Sequence, residues 1–221
     1  AGDMVLVEKG GDVIPKVVGP ITKLRPKGKW SLKSFVMPTK CPVCGFRLAK
    51  PEDEVVWRCE NIICHAKQQR ALVHFASKRA MNIDGLGEAL AEHLIESGLV
   101  KDVSDLYRLK VGDIEPLDHM GERSSVNLLR QINKSKKQDF GRLLYAIGIR
   151  HVGERGASAI AKAFGDMDSL IEASTEELEA VPDVGSVVAK SLRSFFDHGR
   201  NLDLIRRLRL VGVEMTSRRE S

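Results

Sequence analysis

Apolar residues recur in a fixed frame around four glycines. Gly87, Gly121, Gly153 and Gly185 are each preceded four positions earlier by Ile83, Leu117, Ile149 or Val181, and followed seven later by Leu94, Leu128, Ile160 or Leu192. A small residue stands four positions after each glycine, at Ala91, Ser125, Ala157 and Ala189. An apolar residue stands directly before it, at Leu86, Met120, Val152 and Val184. The glycines are 34, 32 and 32 residues apart, a period that belongs to stacked helical units.

Each unit therefore predicts a helix, a tight hairpin and a second helix. The glycine meets a demand for positive φ or for close backbone approach, where a Cβ would clash. The small residue one turn later lets the two helices pack closely. The second helix opens on unpaired backbone N–H groups and a partial positive charge, which suits a phosphate oxygen. This is the chemistry of a helix-hairpin-helix; the plainer reading is a helical solenoid that uses glycine only to end helices. Only the first unit has the full Gly85-Leu86-Gly87. The others place His119, His151 and Asp183 at the first glycine position, which predicts looser hairpins less suited to phosphate.

Composition sharpens this picture through charge. The chain has 221 residues, 43% of them hydrophobic, and a pI near 9.0, room for one or two domains with real cores. Nothing resembles a membrane span. The start at Ala1-Gly2-Asp3, without a signal region or initiating Met, predicts a cytoplasmic piece of something larger. Residues 1–35 carry 7 Lys or Arg against 3 Asp or Glu, whereas residues 76–221 carry 22 against 23. The repeats are nearly neutral, so phosphate binding there must rest on local cations and backbone donors. Candidates are Lys78, Arg79, Arg123, Arg150, Arg155, Lys190 and Arg193.

All four cysteines lie in one stretch, Cys41-Pro-Val-Cys44-Gly45 and Cys59-Glu-Asn-Ile-Ile-Cys64. This spacing predicts one zinc ion held by Cys41, Cys44, Cys59 and Cys64. Pro42 and Gly45 shape a knuckle around the first pair, and Cys64 starts a helix running to Ala76. Four thiolates leave no open position, so the metal is structural. The alternatives are two disulfides, or His65 as a substitute ligand. Phe46 and Trp57 are expected to cover this small module. Upstream, Met4–Val7 and Val13–Val18 read as two strands joined by Lys9-Gly10-Gly11-Asp12, too few for a stable sheet alone. Lys23-Leu-Arg-Pro-Lys-Gly-Lys29, with Lys33 beyond, has the composition of a basic linker or a phosphate-tracking arm.

Taken together, Gly2 to Pro15, the Cys41 to Cys64 cluster, Met81-Asn-Ile-Asp-Gly-Leu-Gly87 and Leu144-Tyr-Ala-Ile-Gly-Ile-Arg-His-Val-Gly153 resemble the bacterial NAD-dependent DNA ligases. In that family an adenylation domain is followed by an oligonucleotide-binding (OB) barrel, a four-cysteine finger, four helix-hairpin-helix motifs and a BRCT domain. The resemblance implies a mainly α chain: the end of the OB barrel and a basic linker over 1–36, the zinc finger over 37–75, and four hairpin motifs over 76–221. It implies a monomer that grips nicked double-stranded DNA without sequence preference for a parent enzyme that seals nicks in replication and repair. NAD and Mg2+ would serve that parent, outside this chain. The family's adenylated lysine lies in a Lys-x-Asp-Gly motif, whereas Asp84-Gly85 here follows Asn82 at the lysine position, so no catalytic residue is assigned. The family commonly has Cys-Pro-Ala-Gln where this chain has Cys64-His-Ala-Lys67.

The expected DNA-binding set is Gly85, Gly87, Gly121, Arg123, Arg150, Val152, Gly153, Arg155 and Gly185. Glu176, Glu177 and Glu179 precede the fourth hairpin and Asp183 lies within it, so the second and third hairpins should dominate. Glu88, Glu122 and Glu154 compete with phosphate for the helix starts. Two other readings stay open: the DNA-binding module of another repair protein, and a helical adaptor for protein partners.

Overall fold

A computed structural model describes residues 2–11, 14–25, 35–50, 55–61 and 63–217. The basic stretch 26–34, with most of the predicted linker, lies outside the described residues. Two antiparallel strands come first, β1 (Val5–Gly10) and β2 (Ile14–Pro20). They are longer than the alternating apolar runs suggested, and a register shift falls between Leu6 and Val7. Both faces are open: Leu6, Val7, Ile14, Val17 and Val18 are all exposed. Arg25, read from sequence as part of the basic arm, is paired with Asp3 through two hydrogen bonds of 2.7 and 2.9 Å. A second short pair, β3 (Leu48–Ala49) and β4 (Arg58–Cys59), joins the two halves of the cysteine cluster.

Ten helices follow among the described residues: α1 (His65–Ala76), α2 (Glu88–Glu96), α3 (Val111–Ile114), α4 (Glu122–Ser135), α5 (Phe140–Ile147), α6 (Glu154–Phe164), α7 (Met167–Glu172), α8 (Thr175–Glu179), α9 (Ser186–Phe196) and α10 (Gly199–Leu210). None of them is long and apolar enough to cross a membrane. Their buried residues follow the 3.6-residue period, as with Ser125, Leu128, Ile132 and Ser135 on α4. These stripes merge into one core that runs from Leu72 to Met215. Helix α1, assigned from sequence to the finger, contributes Leu72, Phe75 and Ala76 to that core and packs on α2 and α5. It is thus the first helix of the first hairpin as well as the end of the finger.

Helix α5 packs against both α6 and α1 and buries Phe140, Gly141, Leu143, Leu144 and Ala146. Asp139 caps its start and Gly148, at φ +75°, ends it. The start of α5 is tied to the loop after α1, where Gln138 donates to the Met81 carbonyl at 3.2 Å and Arg142 donates to that of Ala80 at 2.7 Å. The close helix approach is made by Gly141, which the repeat pattern did not single out. A Cβ there would stand 3.0 Å from Ser158 Cα and 3.4 Å from the Ala157 carbonyl oxygen, both backbone atoms of α6. Gly141→Val is expected to destabilise the protein by roughly 2 kcal/mol or more, as overpacking against a rigid neighbour does. Urea unfolding followed by circular dichroism measures this, and an unchanged midpoint would show that α6 can yield.

Candidate metal centre and nucleic-acid interface

The knuckle forms as its residues predict. Gly45 takes φ +71°, its N–H reaches the Cys41 carbonyl at 2.9 Å, and the Cys41 N–H returns to Phe46 at 2.7 Å. This turn presents Cys41 and Cys44 to the second half, where β4 carries Cys59 and Cys64 forms the N-cap of α1. The four Sγ atoms lie within 4.8 Å of one another, with Cys41–Cys64 at 4.0 Å and Cys44–Cys59 at 3.5 Å. A tetrahedral ion with bonds of about 2.3 Å sets sulfurs about 3.8 Å apart, so the donors fit zinc. All four cysteines are free, which removes the disulfide alternative. His65 is not in the cluster; it opens α1 beside a small cavity lined by Val43 and Gln69.

The thiols are unlike one another. The Phe46 backbone N–H, and after it the Asn61 side chain, hold Cys44 down to about 6. Desolvation pushes Cys59 up to about 12. Sulfurs this close cannot all ionise without a cation between them, and zinc supplies that charge. Apolar cover is thin, because Phe46 and Val43 are exposed and Trp57 only half-buried. The metal does the work of a core.

The hairpins share a left-handed third turn residue at all four positions, and three of them also close a turn hydrogen bond. In the second, third and fourth, the residue before the glycine donates to the carbonyl three earlier: Met120 to Leu117 at 3.0 Å, Val152 to Ile149 at 3.1 Å, and Val184 to Val181 at 3.1 Å. The third residue of each turn is left-handed, with φ +62° at His119, +63° at His151 and +65° at Asp183, against +89° at Gly85. These are turns of type II character, whose third position favours glycine. The expectation of looser hairpins in the last three units is corrected: each closes its turn with a hydrogen bond, with a side chain held in the left-handed region. That conformation costs about 1 kcal/mol or more. His119→Gly is therefore expected to stabilise the protein by about 1 kcal/mol, read as a higher thermal midpoint; a lower one would mean that the exposed imidazole has a stabilising contact.

The glycine before each second helix does not meet the predicted demand for positive φ or close approach within the fold. Gly87, Gly121, Gly153 and Gly185 have φ of −92°, −142°, −83° and −85° and are the N-caps of α2, α4, α6 and α9. Any residue tolerates this extended backbone. A Cβ on any of the four would meet nothing within 4 Å. The protein's own fold thus needs no glycine at these places. Directly below, Ala91, Ser125, Ala157 and Ala189 are fully buried, and their N–H groups donate to the glycine carbonyls at 2.9 to 3.0 Å.

Side-chain capping divides the helices. Asp139, Asp166 and Ser174 cap α5, α7 and α8. None of the four hairpin glycines can do so, and the first N–H groups of α2, α4, α6 and α9 have no side-chain cap. The hairpins thus expose donors of the kind that α5, α7 and α8 cover, and α1 and α10 likewise open without a side-chain cap.

Around these donors the predicted residues separate. Gly85, Gly87, Gly121, Gly153 and Gly185 are exposed, as are Arg123, Arg150 and Arg155. Val152 is buried and its N–H is taken by Ile149, so it supports the turn from inside. Arg193 is a structural residue, bonded to the carbonyls of Ile171 at 2.7 Å and Ala173 at 2.9 Å. Glu154, at the start of α6, is paired with Arg79 at 3.6 Å, which offsets its competition with an anion there. His151 bonds Ser191 at 3.0 Å and ties the third hairpin to α9.

Residues 40–66 match the NAD-dependent DNA ligase C4 zinc finger domain, and residues 142–205 match the helix-hairpin-helix motif. The chain is 46% identical to a DNA ligase of Acidobacterium capsulatum over 97% of its own length, 42% identical to one of Symbiobacterium thermophilum over 100%, and 45% identical to one of Chlorobium phaeovibrioides over 98%. It spans 32% of the length of each of these relatives.

Proposed function

We infer that this chain, which carries the C4 zinc finger of NAD-dependent DNA ligases and a helix-hairpin-helix motif, is the duplex-gripping part of such a ligase. The observation that carries the reading is the set of four glycine N-caps whose missing side chains the fold itself does not require. A partner that comes close to the backbone requires them, and a phosphate oxygen bonded to free N–H groups at a helix start is such a partner. The four hairpins act as four helix-hairpin-helix motifs, α1 together with 76–221 forming their domain. The finger over 37–75 is a rigid joint, and residues 1–36 close an OB barrel whose other strands cover the exposed faces of β1 and β2.

Contact through phosphates and backbone donors carries no sequence information, which suits an enzyme that must seal nicks between a 5′-phosphate and a 3′-hydroxyl anywhere. The parent would draw on NAD and Mg2+ in the cytoplasm, and this chain, a monomer, supplies grip without nucleotidyl transfer. Gly85, Gly87, Gly121, Arg123, Arg150, Gly153, Arg155 and Gly185 form the proposed contact set. Val152 serves it only by holding the third turn. The second and third hairpins contribute most: Arg123 and Arg155 stand in the first turns of α4 and α6, whereas α9 opens with Ser186-Val187-Val188 beyond the acidic Asp183.

Fluorescence anisotropy on nicked and intact duplexes of unrelated sequence, across a salt series, tests this. The expected result is steep salt dependence, with log affinity falling by roughly 0.9 per released phosphate contact per decade of salt, and little difference between sequences. Strong preference for one sequence, or no binding at low salt, would overturn it.

A further inference from the structure

Away from the glycine caps, α1 and α10 supply most of the lining of a groove of about 530 Å³, and the C-terminal turn of α5 and residues 101–103 complete it. Its floor is apolar, formed by Leu72, Val103, Ile147 and Leu204. Its rim is cationic. Arg70, Lys101 and Arg200 are exposed and have no acidic side-chain partner among the described residues. The lining has a single acid, Asp102, and its carboxylate is taken by Arg207 at 2.7 Å. The uncompensated positive charge therefore faces whatever enters.

Both properties constrain the occupant. A duplex backbone would satisfy the cations and leave the apolar floor against water. A single small anion would likewise leave the apolar floor against water. An acidic segment with apolar side chains at intervals meets floor and rim together. The distance from Arg200 to Arg207 along α10, about 10 Å at 1.5 Å per residue, suits two helical turns or a few extended residues.

We propose that this groove docks an acidic amphipathic peptide segment of a partner protein, its apolar side chains on Leu72, Val103, Ile147 and Leu204 and its carboxylates on Arg70, Lys101 and Arg200. The site is separate from the hairpin N-caps and does not rest on their role.

The test is selection of a random dodecapeptide library on the full 221-residue chain, followed by titration of the enriched peptides by fluorescence anisotropy. Wild type is compared with the triple variant Arg70→Glu, Lys101→Glu, Arg200→Glu, and with the milder triple change to Gln, each checked for folding by circular dichroism. The expected result is enrichment of peptides that combine Asp or Glu with apolar residues. Their binding should weaken about tenfold or more in both variants, while nicked-duplex affinity stays within about twofold, too little to register as a lost contact. No enrichment, enrichment without acids, or equal binding by the variants would overturn the proposal. So would a large loss of duplex affinity in the variants, which would assign these cations to DNA.

Discussion

Replacing Gly153 by aspartate is expected to stabilise the protein and weaken duplex binding at the same time. The position has φ −83° and ψ 174°, open to any residue, and a Cβ there meets nothing within 4 Å. An aspartate N-cap accepts from the first N–H groups of α6 and complements the helix dipole. Together these effects add about 0.5 to 1 kcal/mol, or a few degrees in thermal midpoint. The same carboxylate occupies the donors and repels phosphate, so duplex affinity should fall by about tenfold or more. A glycine needed by the fold would behave in the opposite way, losing stability on substitution. Gly185→Asp is the internal comparison. It should give a similar gain in stability and a smaller loss of affinity, because the fourth hairpin already presents Asp183 and has no cation in the first turn of α9. Equal losses at both sites would refute the ranking of the hairpins.

Removal of zinc should unfold the finger and spare the helices. Cys44→Ser, or a strong chelator, is expected to take bound zinc from about one per chain to none, since a structural site of this type needs all four thiolates. Zinc contributes on the order of 10 kcal/mol or more to such small modules, and this one has little else to hold it: Cys41 and Cys64 are buried, but Phe46, Val43, Val55 and Ile63 are exposed. The core of α1 to α10 is built from Leu72 onward. Helical circular dichroism should therefore persist apart from fraying at His65, while residues 40–59 become open to protease. Metal analysis and limited proteolysis on one sample measure both. Loss of the whole helical signal would show that the finger and the helices fold as one unit.

The repeat frame was legible because helical burial has a strict period. Ile83, Ile149 and Val181 before the glycines, and Leu94, Leu128, Ile160 and Leu192 after them, are all buried, with Leu117 packed on the core. The cysteine set was legible because metal ligation restricts both residue type and spacing. The role of each glycine was not. Sequence marks where a side chain is missing but not whether φ, a neighbouring helix or an outside partner forbids it. The structure separates the three cases: Gly85 sits at positive φ, Gly141 lies against α6, and the four N-caps face open space. The partners of Arg193 and Arg25 are hidden from sequence for a related reason, since they lie far along the chain, at Ile171 and Ala173 or at Asp3.

By itself, then, the sequence determined a mainly helical chain with a recurring glycine frame and a four-thiolate metal site, because periodicity and ligand spacing are local properties. Tertiary structure decided which groups are left for a partner. That three turns hold His119, His151 and Asp183 in a glycine-like conformation, that four helix starts keep their donors uncovered, and that α1 and α10 leave a basic groove over an apolar floor are consequences of how distant segments pack. Packing consumes some donors and cations and leaves others exposed, and no short-range pattern records which.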